Sequence, residues 1–290
     1  MLFKSLLSEK KVHLTAAQQR AMKYIIDNYE DAIFLTASGL AQQAGVSEAT
    51  IVRLAQVLGF DGYPAMQRML REDLQYRLST VTRLEQTVKN VRDEGDILVK
   101  VMQEDIQNLS LTLRNLPIET FRQAVAEMGE ARRIFVVGLK SSHGPALVLA
   151  RYLSFLKEET YLLEPGYGDV WDTLYEVGSE DLVIGISIPR YTRLTVEILE
   201  YAHKRGARIG VITDSILSPL ANHANWVLPV QCRLDSFIES FTAVVSIVNA
   251  LLTALSVQNP EETLKKLEKR EELWKTKKIY MATRENRFKK

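Results

Sequence analysis

A single cysteine, Cys232, excludes an internal disulfide, so the chain must hold its fold by packing alone and suits a reducing compartment. Charge of one sign is also missing. The 37 Lys and Arg stand against 36 Asp and Glu, a formal net charge of +1, so no global field singles out nucleic acid or a membrane surface as partner. Any affinity for a polyanion must rest on local features. The four histidines, at 13, 143, 203 and 223, lack metal-ligand spacing and Cys232 has no cysteine partner, so neither a metal nor a cofactor is expected. Residues 1–11 carry lysines at 4, 10 and 11 around short apolar pieces, which does not read as a cleaved leader. The longest uncharged stretch, residues 240–260, is interrupted by Ser240, Thr242, Ser246, Asn249, Thr253 and Ser256. It reads as a buried helix rather than a membrane span. What is present, 290 residues of which 46% are hydrophobic, suffices for two packed cores, and the expectation is a cytoplasmic protein of two domains.

Hydrophobic period changes once along the chain. Residues 1 to about 110 read as helices throughout, whereas beyond Arg132 short β-branched runs at 134–137, 182–186, 209–213 and 226–230 alternate with helical segments. That alternation predicts an α/β domain with a mostly parallel sheet, preceded by an all-α domain. The division is 1–76, a helical domain; 77–96, a charged linker helix and hinge with Gly95 as breaker before a helix at 97–114; 97–257, the α/β domain with its lead-in helices; and 258–290, a solvated helical tail. Residues 261–290 hold eleven basic and six acidic side chains, typical of a solvated helix.

Within the first domain Thr15 and Gln18 form a capping-box pair, and Met22, Ile25, Ile26 and Tyr29 one apolar stripe. Thr36 can cap a short helix ending at Ala44, Gly45 can take the left-handed conformation of a tight stop, and Ser47 can cap the helix that follows. This layout fits a helix-turn-helix and equally a plain αα-hairpin in a bundle. Ile51, Leu54, Ala55 and Leu58 would face inward, turning Glu48, Ala49, Thr50, Arg53 and Gln56 outward. Ser47, Ala49, Thr50, Arg53 and Gln56 are the candidate DNA contacts, because a helix N-terminus favours phosphate and these side chains can reach base edges. Residues 1–76 balance eight cations against eight anions, but residues 1–24 hold five against one and can supply phosphate contacts.

The run LAQQAGVSEATIVRLAQVLGFDGYPAMQRML within residues 13–76 resembles the N-terminal domain of the RpiR/MurR family of transcriptional regulators. In that family a Ser-x-x-Thr-hydrophobic-x-Arg helix ends in Leu-Gly-Phe before a Gly-Tyr turn. The resemblance implies a winged-helix-like or three-to-five-helix module that works as a homodimer on paired half-sites of double-stranded operator DNA, with pairing of dimers into a tetramer left open.

In the second domain, residues 132–138 form a strand that runs into Leu139, Lys140, Ser141, Ser142, His143 and Gly144 and then a helix with Pro145 in its first turn. The strand at 182–186 is followed in the same way by Ser187, Pro189, Arg190, Thr192 and Thr195, and the next by Thr213, Asp214 and Ser215. Strand, hydroxyl-rich loop and helix make a geometry that cradles phosphate, and neighbouring parallel strands would bring two such loops to one crevice. Ser and Thr are also ordinary helix caps, so each hydroxyl alone has a second explanation. Lys140, Ser141, Ser142, Ser187, Arg190, Thr192 and Thr195 are the candidate ligand residues.

These loops are similar to those of the sugar isomerase (SIS) fold, a flavodoxin-like five-stranded sheet that the same regulator family carries, over residues 131 to about 257. Where that fold reads Gly-x-Gly-x-Ser with a small residue four positions on, this chain has Gly138, Lys140, Ser142 and Ala146. Where it reads Ser-x-Ser-Gly-x-Thr, this chain has Ser187, Pro189, Arg190 and Thr192, as in one subset of the family with Pro-Arg-Tyr in this loop. The implied ligand is a small phosphorylated sugar, or a sugar acid or phosphorylated polyol if Lys140 and Arg190 act as cationic clamps. Arg190 as a solvated surface residue remains the alternative.

An isomerase needs a general base. His143, Glu164, Asp169 and Glu239 are the candidates; Glu239 is otherwise explained as an acidic residue opening the last long helix, where the dipole favours it. The glutamate of the isomerase members aligns with residues 231–233, which hold no carboxylate. The expectation is therefore a sensor and not an enzyme, with a sugar-phosphate isomerase carrying a DNA-binding domain as the alternative. The helix at 240–257 is the expected dimer face, and the linker at 77–96 is expected to convert ligand state into the spacing of the two DNA-reading units.

Overall fold

The computed structural model describes residues 14–28, 32, 35–77, 80–90, 93–166, 170–216 and 218–281. The basic residues before Leu14, His13, Tyr29 and Asp169 lie outside the described residues.

Among the described residues four helices make the first core: α1 (Ala16–Asp27), α2 (Ala37–Ala44), α3 (Glu48–Val57) and α4 (Tyr63–Arg77). Their starts follow from side-chain caps. Thr15 accepts from Gln18 N while Gln18 Oε1 accepts from Thr15 N at 2.9 Å, Thr36 accepts from Gly39 N at 3.1 Å, and Ser47 from Thr50 N at 3.3 Å. Gly45 stops α2 at φ +64°, a conformation that a side chain would strain. Ile51, Leu54 and Ala55 are fully buried, together with Leu40 of α2 and Ile25 of α1, which fixes the rotation of α3. Tyr63 Oη and Gln67 Nε2 both donate to the Leu35 carbonyl at 2.6 Å and hold α4 across the entrance to α2. No strand occurs among the described residues of this half, so the module has helices and no observed wing.

Two helices, α5 (Thr80–Asn90) and α6 (Glu94–Asn115), follow. Gly95 is not the expected breaker. Asp93 caps α6 by accepting from Asp96 N at 2.9 Å, and Gly95 sits inside its first turn. Helix α7 (Ile118–Glu130) then leads into the sheet.

The sheet holds five parallel strands, β1 (Ile134–Val137), β2 (Thr160–Leu163), β3 (Leu182–Ile186), β4 (Arg208–Thr213) and β5 (Trp226–Pro229), in the order β2-β1-β3-β4-β5. Helix α8 (His143–Leu156) joins β1 to β2; the short α9 (Val170–Thr173) precedes β3; α10 (Arg193–Lys204) joins β3 to β4; α11 (Thr242–Gln258) and α12 (Pro260–Lys277) follow β5. Strands β1 and β3 are buried at every position because helices cover both faces. On one side Ile134, Val136, Ile184 and Leu228 pack against α7, α8 and α11; on the other Phe135, Val137, Val183 and Val211 pack against α10. At the amino end of β3 the fully buried Asp181 accepts from Arg133 Nη2 at 2.8 Å, from Arg132 at 3.3 Å and from Gly178 N at 2.9 Å. Burial alone would raise its pKa, yet these donors and the two guanidinium charges hold it below the usual carboxylate range.

Two expectations need correction. Helix α11 does bury its apolar residues, but against α6, α7 and α8 of the same chain, so most of it is not a free partner face. Large exposed apolar side chains stand instead along α5 and α6, among them Val81, Val88, Leu98, Met102, Ile106 and Leu113. The tail helix α12 has no buried residue, yet it is not simply solvated. Lys266 and Arg270 donate to the carbonyls of Leu156 and Ser154 at the end of α8, both at 2.8 Å, and Arg270 lies 4.3 Å above the Phe155 ring. Among the described residues no single helix is long and apolar enough to cross a membrane.

Candidate functional site

The order β2-β1-β3-β4-β5 reverses direction at β1, so connections leave β1 and β3 toward opposite faces, and the carboxyl ends of these two strands are the place where open sheets of this kind bind ligands. Both hydroxyl loops start there. A methyl group on Gly138 would stand 2.6 Å from the Ser142 carbonyl oxygen, 2.8 Å from Ala146 Cβ and 3.2 Å from the Ile186 carbonyl oxygen. Only glycine lets the first loop, the start of α8 and the end of β3 approach this closely. Ser142 and Ser187, the residue after Ile186, therefore belong to one locality.

Their hydroxyls are not spent on capping. Ser142 and Thr192 occupy the N-cap positions of α8 and α10, and neither makes a side-chain capping bond. Thr15, Thr36 and Ser47, in the same position on α1, α2 and α3, all do. Ser142 and Ser187 are each only 3% exposed, and neither hydroxyl is bonded to another described residue. Thr195, in the first turn of α10, is fully buried with its Oγ1 unpartnered. A buried polar atom left unpaired costs about 1–3 kcal/mol, and of these three hydroxyls Thr195 Oγ1 is the one shut off from solvent; those of Ser142 and Ser187 are left to donate to an acceptor.

Lys140 and Arg190 stand where the SIS pattern has glycine, and both keep a glycine-like backbone, at φ +57° and +61°. Both turns thus keep the backbone that glycine favours, with a cation at each. Strain of this kind is uncommon outside sites whose surroundings enforce it. Lys140, Ser141 and Arg190 are exposed and Thr192 is half-buried. At the rim, Tyr191 Oη donates to Asp214 Oδ1 at 2.7 Å and Thr213 Oγ1 to the same oxygen at 3.2 Å, so the third strand end braces the second loop. On the other flank His143 Nε2 lies 3.1 Å from Glu164 Oε1, pairing two of the candidate bases with each other.

Glu239 has a different explanation from the one its position suggests. Helix α11 begins at Thr242, and Glu239 lies in the preceding loop, where its carboxylate forms a buried ion pair with Arg83 of α5 at 2.8 Å. The rest of that loop is held by α6: Thr112 Oγ1 accepts from Gln231 N at 2.8 Å, Asn108 Nδ2 donates to the Arg233 carbonyl at 2.6 Å, and Asp105 accepts from the hydroxyls of Ser240 and Thr242. Sequence reasoning missed Arg83, Asp105, Asn108 and Thr112. The only trace was two polar residues, Asn108 and Thr112, four apart on one helix face.

On the other domain, Ser47, Ala49, Arg53 and Gln56 are exposed and Thr50 half-exposed along the outer face of α3. Ser47 and Thr50 also share a hydroxyl contact at 2.9 Å. The cap thus fixes the orientation of two of the five candidate contacts. The surface they form is free of apolar packing, and Arg53 is its one cation.

Residues 1–77 match the model of the helix-turn-helix domain of the rpiR family, and residues 127–254 that of the SIS domain. The sugar isomerase domain of an RpiR transcription factor from Sphaerobacter thermophilus is 34% identical, covering 61% of this chain and 98% of that one with a TM-score of 0.58. The HTH-type transcriptional regulator HexR of Pseudomonas aeruginosa is 27% identical over 228 residues, 77% of this chain and 76% of its own length. The Vibrio vulnificus NanR protein, solved in complex with ManNAc-6P, shares the fold over 94% of this chain and 98% of its own at 21% identity and a TM-score of 0.57. With a helix-turn-helix domain of this type at one end and a five-stranded SIS domain behind it, the chain belongs to the RpiR family of transcriptional regulators.

Proposed function

We propose that this protein binds operator DNA through α3 and that a phosphorylated sugar or sugar acid, seated in the crevice between β1 and β3, controls that binding. The observation that carries the reading is the set of unspent hydroxyls of Ser142, Ser187 and Thr195 at two adjoining helix N-termini. Uncharged donors of this kind, with backbone N–H groups, suit phosphate oxygens. Lys140 and Arg190 add positive charge beside them, which favours a ligand with a second anionic group such as a carboxylate. Thr192 and Ser141 complete the rim. NanR, whose fold this chain shares, was solved with a sugar phosphate, which agrees with this assignment.

On the DNA side, Ser47 and Thr50 address phosphate at the N-terminus of α3, while Ala49, Arg53 and Gln56 face the groove. The working unit is a homodimer in the cytoplasm, and the apolar side chains exposed on α5 and α6 supply its contact surface. Sensing rather than turnover fits Glu239, which is engaged by Arg83 and is not available as a base.

The test is thermal stability of the full chain against glucose 6-phosphate, 6-phosphogluconate, N-acetylmannosamine 6-phosphate and inorganic phosphate. A ligand at 100 times its dissociation constant adds roughly 2.7 kcal/mol. The shift should vanish in Ser142→Ala and Ser187→Ala; a shift that both variants retain places the anion elsewhere. The His143–Glu164 pair favours a second reading, an isomerase, and sustained interconversion of the stabilising sugar followed by NMR would establish it in place of the first.

A further inference from the structure

We infer that Arg83 is a positioning residue that latches α5, the helix between the two domains, to the crevice end of the sheet, so that the state of the crevice is passed to the DNA-reading helices. This rests on the reading of the crevice as an effector site.

Arg83 is 8% exposed although it lies on a charged helix in the connection between the domains. Its guanidinium pairs with Glu239 at 2.8 Å and also donates to the Phe237 carbonyl, while Thr87 Oγ1, one turn on, donates to the Asp235 carbonyl at 3.1 Å. A cation is taken out of water at this depth only against a partner, and each partner here comes from the loop between β5 and α11. The pair is incompletely satisfied: Arg83 Nε is buried and bonded to nothing among the described residues. An arrangement with one orphaned donor is held less firmly than a fully bonded one and is suited to release.

The other end of the connection is the crevice rim. Tyr191 of the second loop is tied to Asp214, and Val230 N, just past β5, donates to the carbonyl of the neighbouring Thr213 at 2.8 Å. The thiol of Cys232 is pushed well up, first by burial and then by the Asp214 and Glu239 carboxylates, with Arg83 opposing them. The Cys232 carbonyl accepts from Ser240 N at 3.1 Å, one residue from Glu239. A chain of bonds thus runs from the loop carrying Arg190, through Tyr191, Asp214 and the pairing of Val230 with Thr213, to the segment of Cys232, whose carbonyl holds Ser240 beside Glu239, and so to Arg83. Because α6 braces the same loop at Gln231, Arg233 and Ser240, movement of the rim is delivered to α5 at Arg83 and Thr87.

Hydrogen exchange of the 80–90 segment in the full-length protein tests the latch without any ligand. Uptake there should rise at least tenfold in Arg83→Met and in Glu239→Gln, rise less in Tyr191→Phe, and return toward wild type in Arg83→Lys, with α3 and β1 protected throughout as the control for folding. Thr87→Ala, which removes the lesser bond, should give a smaller rise and serves if Arg83→Met does not fold. Unchanged uptake in Arg83→Met, or in Glu239→Gln and Thr87→Ala together, overturns the latch. A second arm uses 6-phosphogluconate as probe: it should alter 80–90 exchange in wild type and not in Arg83→Met, with probe affinity by calorimetry within about twofold. An equal response in both proteins overturns the coupling. If the wild type binds none of the sugar phosphates, the effector reading falls, while the ligand-free arm still decides the latch.

Discussion

Tyr191 donates its phenolic proton to Oδ1 of Asp214 at 2.7 Å, joining the loop after β3 to the end of β4. The ends of β3 and β4 are thereby joined, beside the unspent hydroxyls that follow β1 and β3. Removing the bond alone, as Tyr191→Phe, should cost about 1 kcal/mol in urea unfolding and weaken the most stabilising sugar phosphate about fivefold or more, because the loop must then be ordered on binding. Calorimetric titration of wild type and variant checks the second figure.

Arg190→Gly separates backbone geometry from charge. The left-handed backbone costs arginine about 1–2 kcal/mol, and glycine's extra freedom in the unfolded chain costs about 0.5–1 kcal/mol. These nearly offset, so unfolding free energy should change by less than about 1 kcal/mol. Binding of 6-phosphogluconate should fall more than tenfold, since a charge-assisted hydrogen bond contributes about 1.5–3 kcal/mol. Glucose 6-phosphate, lacking the carboxylate, should lose much less. Equal losses for the two would remove Arg190 from the second anionic position.

Asp181 supplies a pH dependence of stability. Its folded pKa lies below that of the unfolded chain, about 3.9, so its contribution is fully present above that value and is lost as pH falls through the folded pKa. Asp181→Asn keeps one acceptor oxygen but replaces the other by an NH2 group and removes the charge that Arg133 pairs with, and should cost about 3 kcal/mol at pH 7. The gap between wild type and variant should narrow as the pH is lowered below 4, measured by urea unfolding at each pH.

Arg53→Ala should weaken binding to the promoter fragment of the chain's own gene by about tenfold or more, a base or phosphate contact being worth about 1–3 kcal/mol. Stability should change by less than about 0.5 kcal/mol because the side chain is exposed. Fluorescence anisotropy across a KCl series distinguishes the two kinds of contact: a slope reduced by about one unit identifies phosphate, an unchanged slope a base edge.

The helix-turn-helix was legible because its signals are local: Thr36, Gly45 and Ser47 act within a turn of themselves, and the Ile51, Leu54, Ala55, Leu58 stripe has one period. The buried strands β1, β3 and β4 were legible as β-branched runs. Strand β2 was not located in the sequence, being a four-residue edge strand whose Tyr161 is 38% exposed, with no uninterrupted apolar run. The two loops and their hydroxyls could be found, but whether Ser142 and Thr192 cap their helices is decided by rotamer and surroundings, which composition does not encode. Arg83 and Glu239 lie 156 positions apart, and neither differs locally from an ordinary surface charge. Only the folding of α5 against the β5–α11 loop turns them into a buried pair.

The clasp of α12 on α8 sets a practical limit on fragments of this protein. Lys266 and Arg270 occupy carbonyls that the last turn of α8 would otherwise present to water, and the first turn of that same helix begins at Ser142. A fragment cut at 257 would unpin the far end of the rod whose near end carries Ser142. One carried through Lys277 keeps it pinned at both ends.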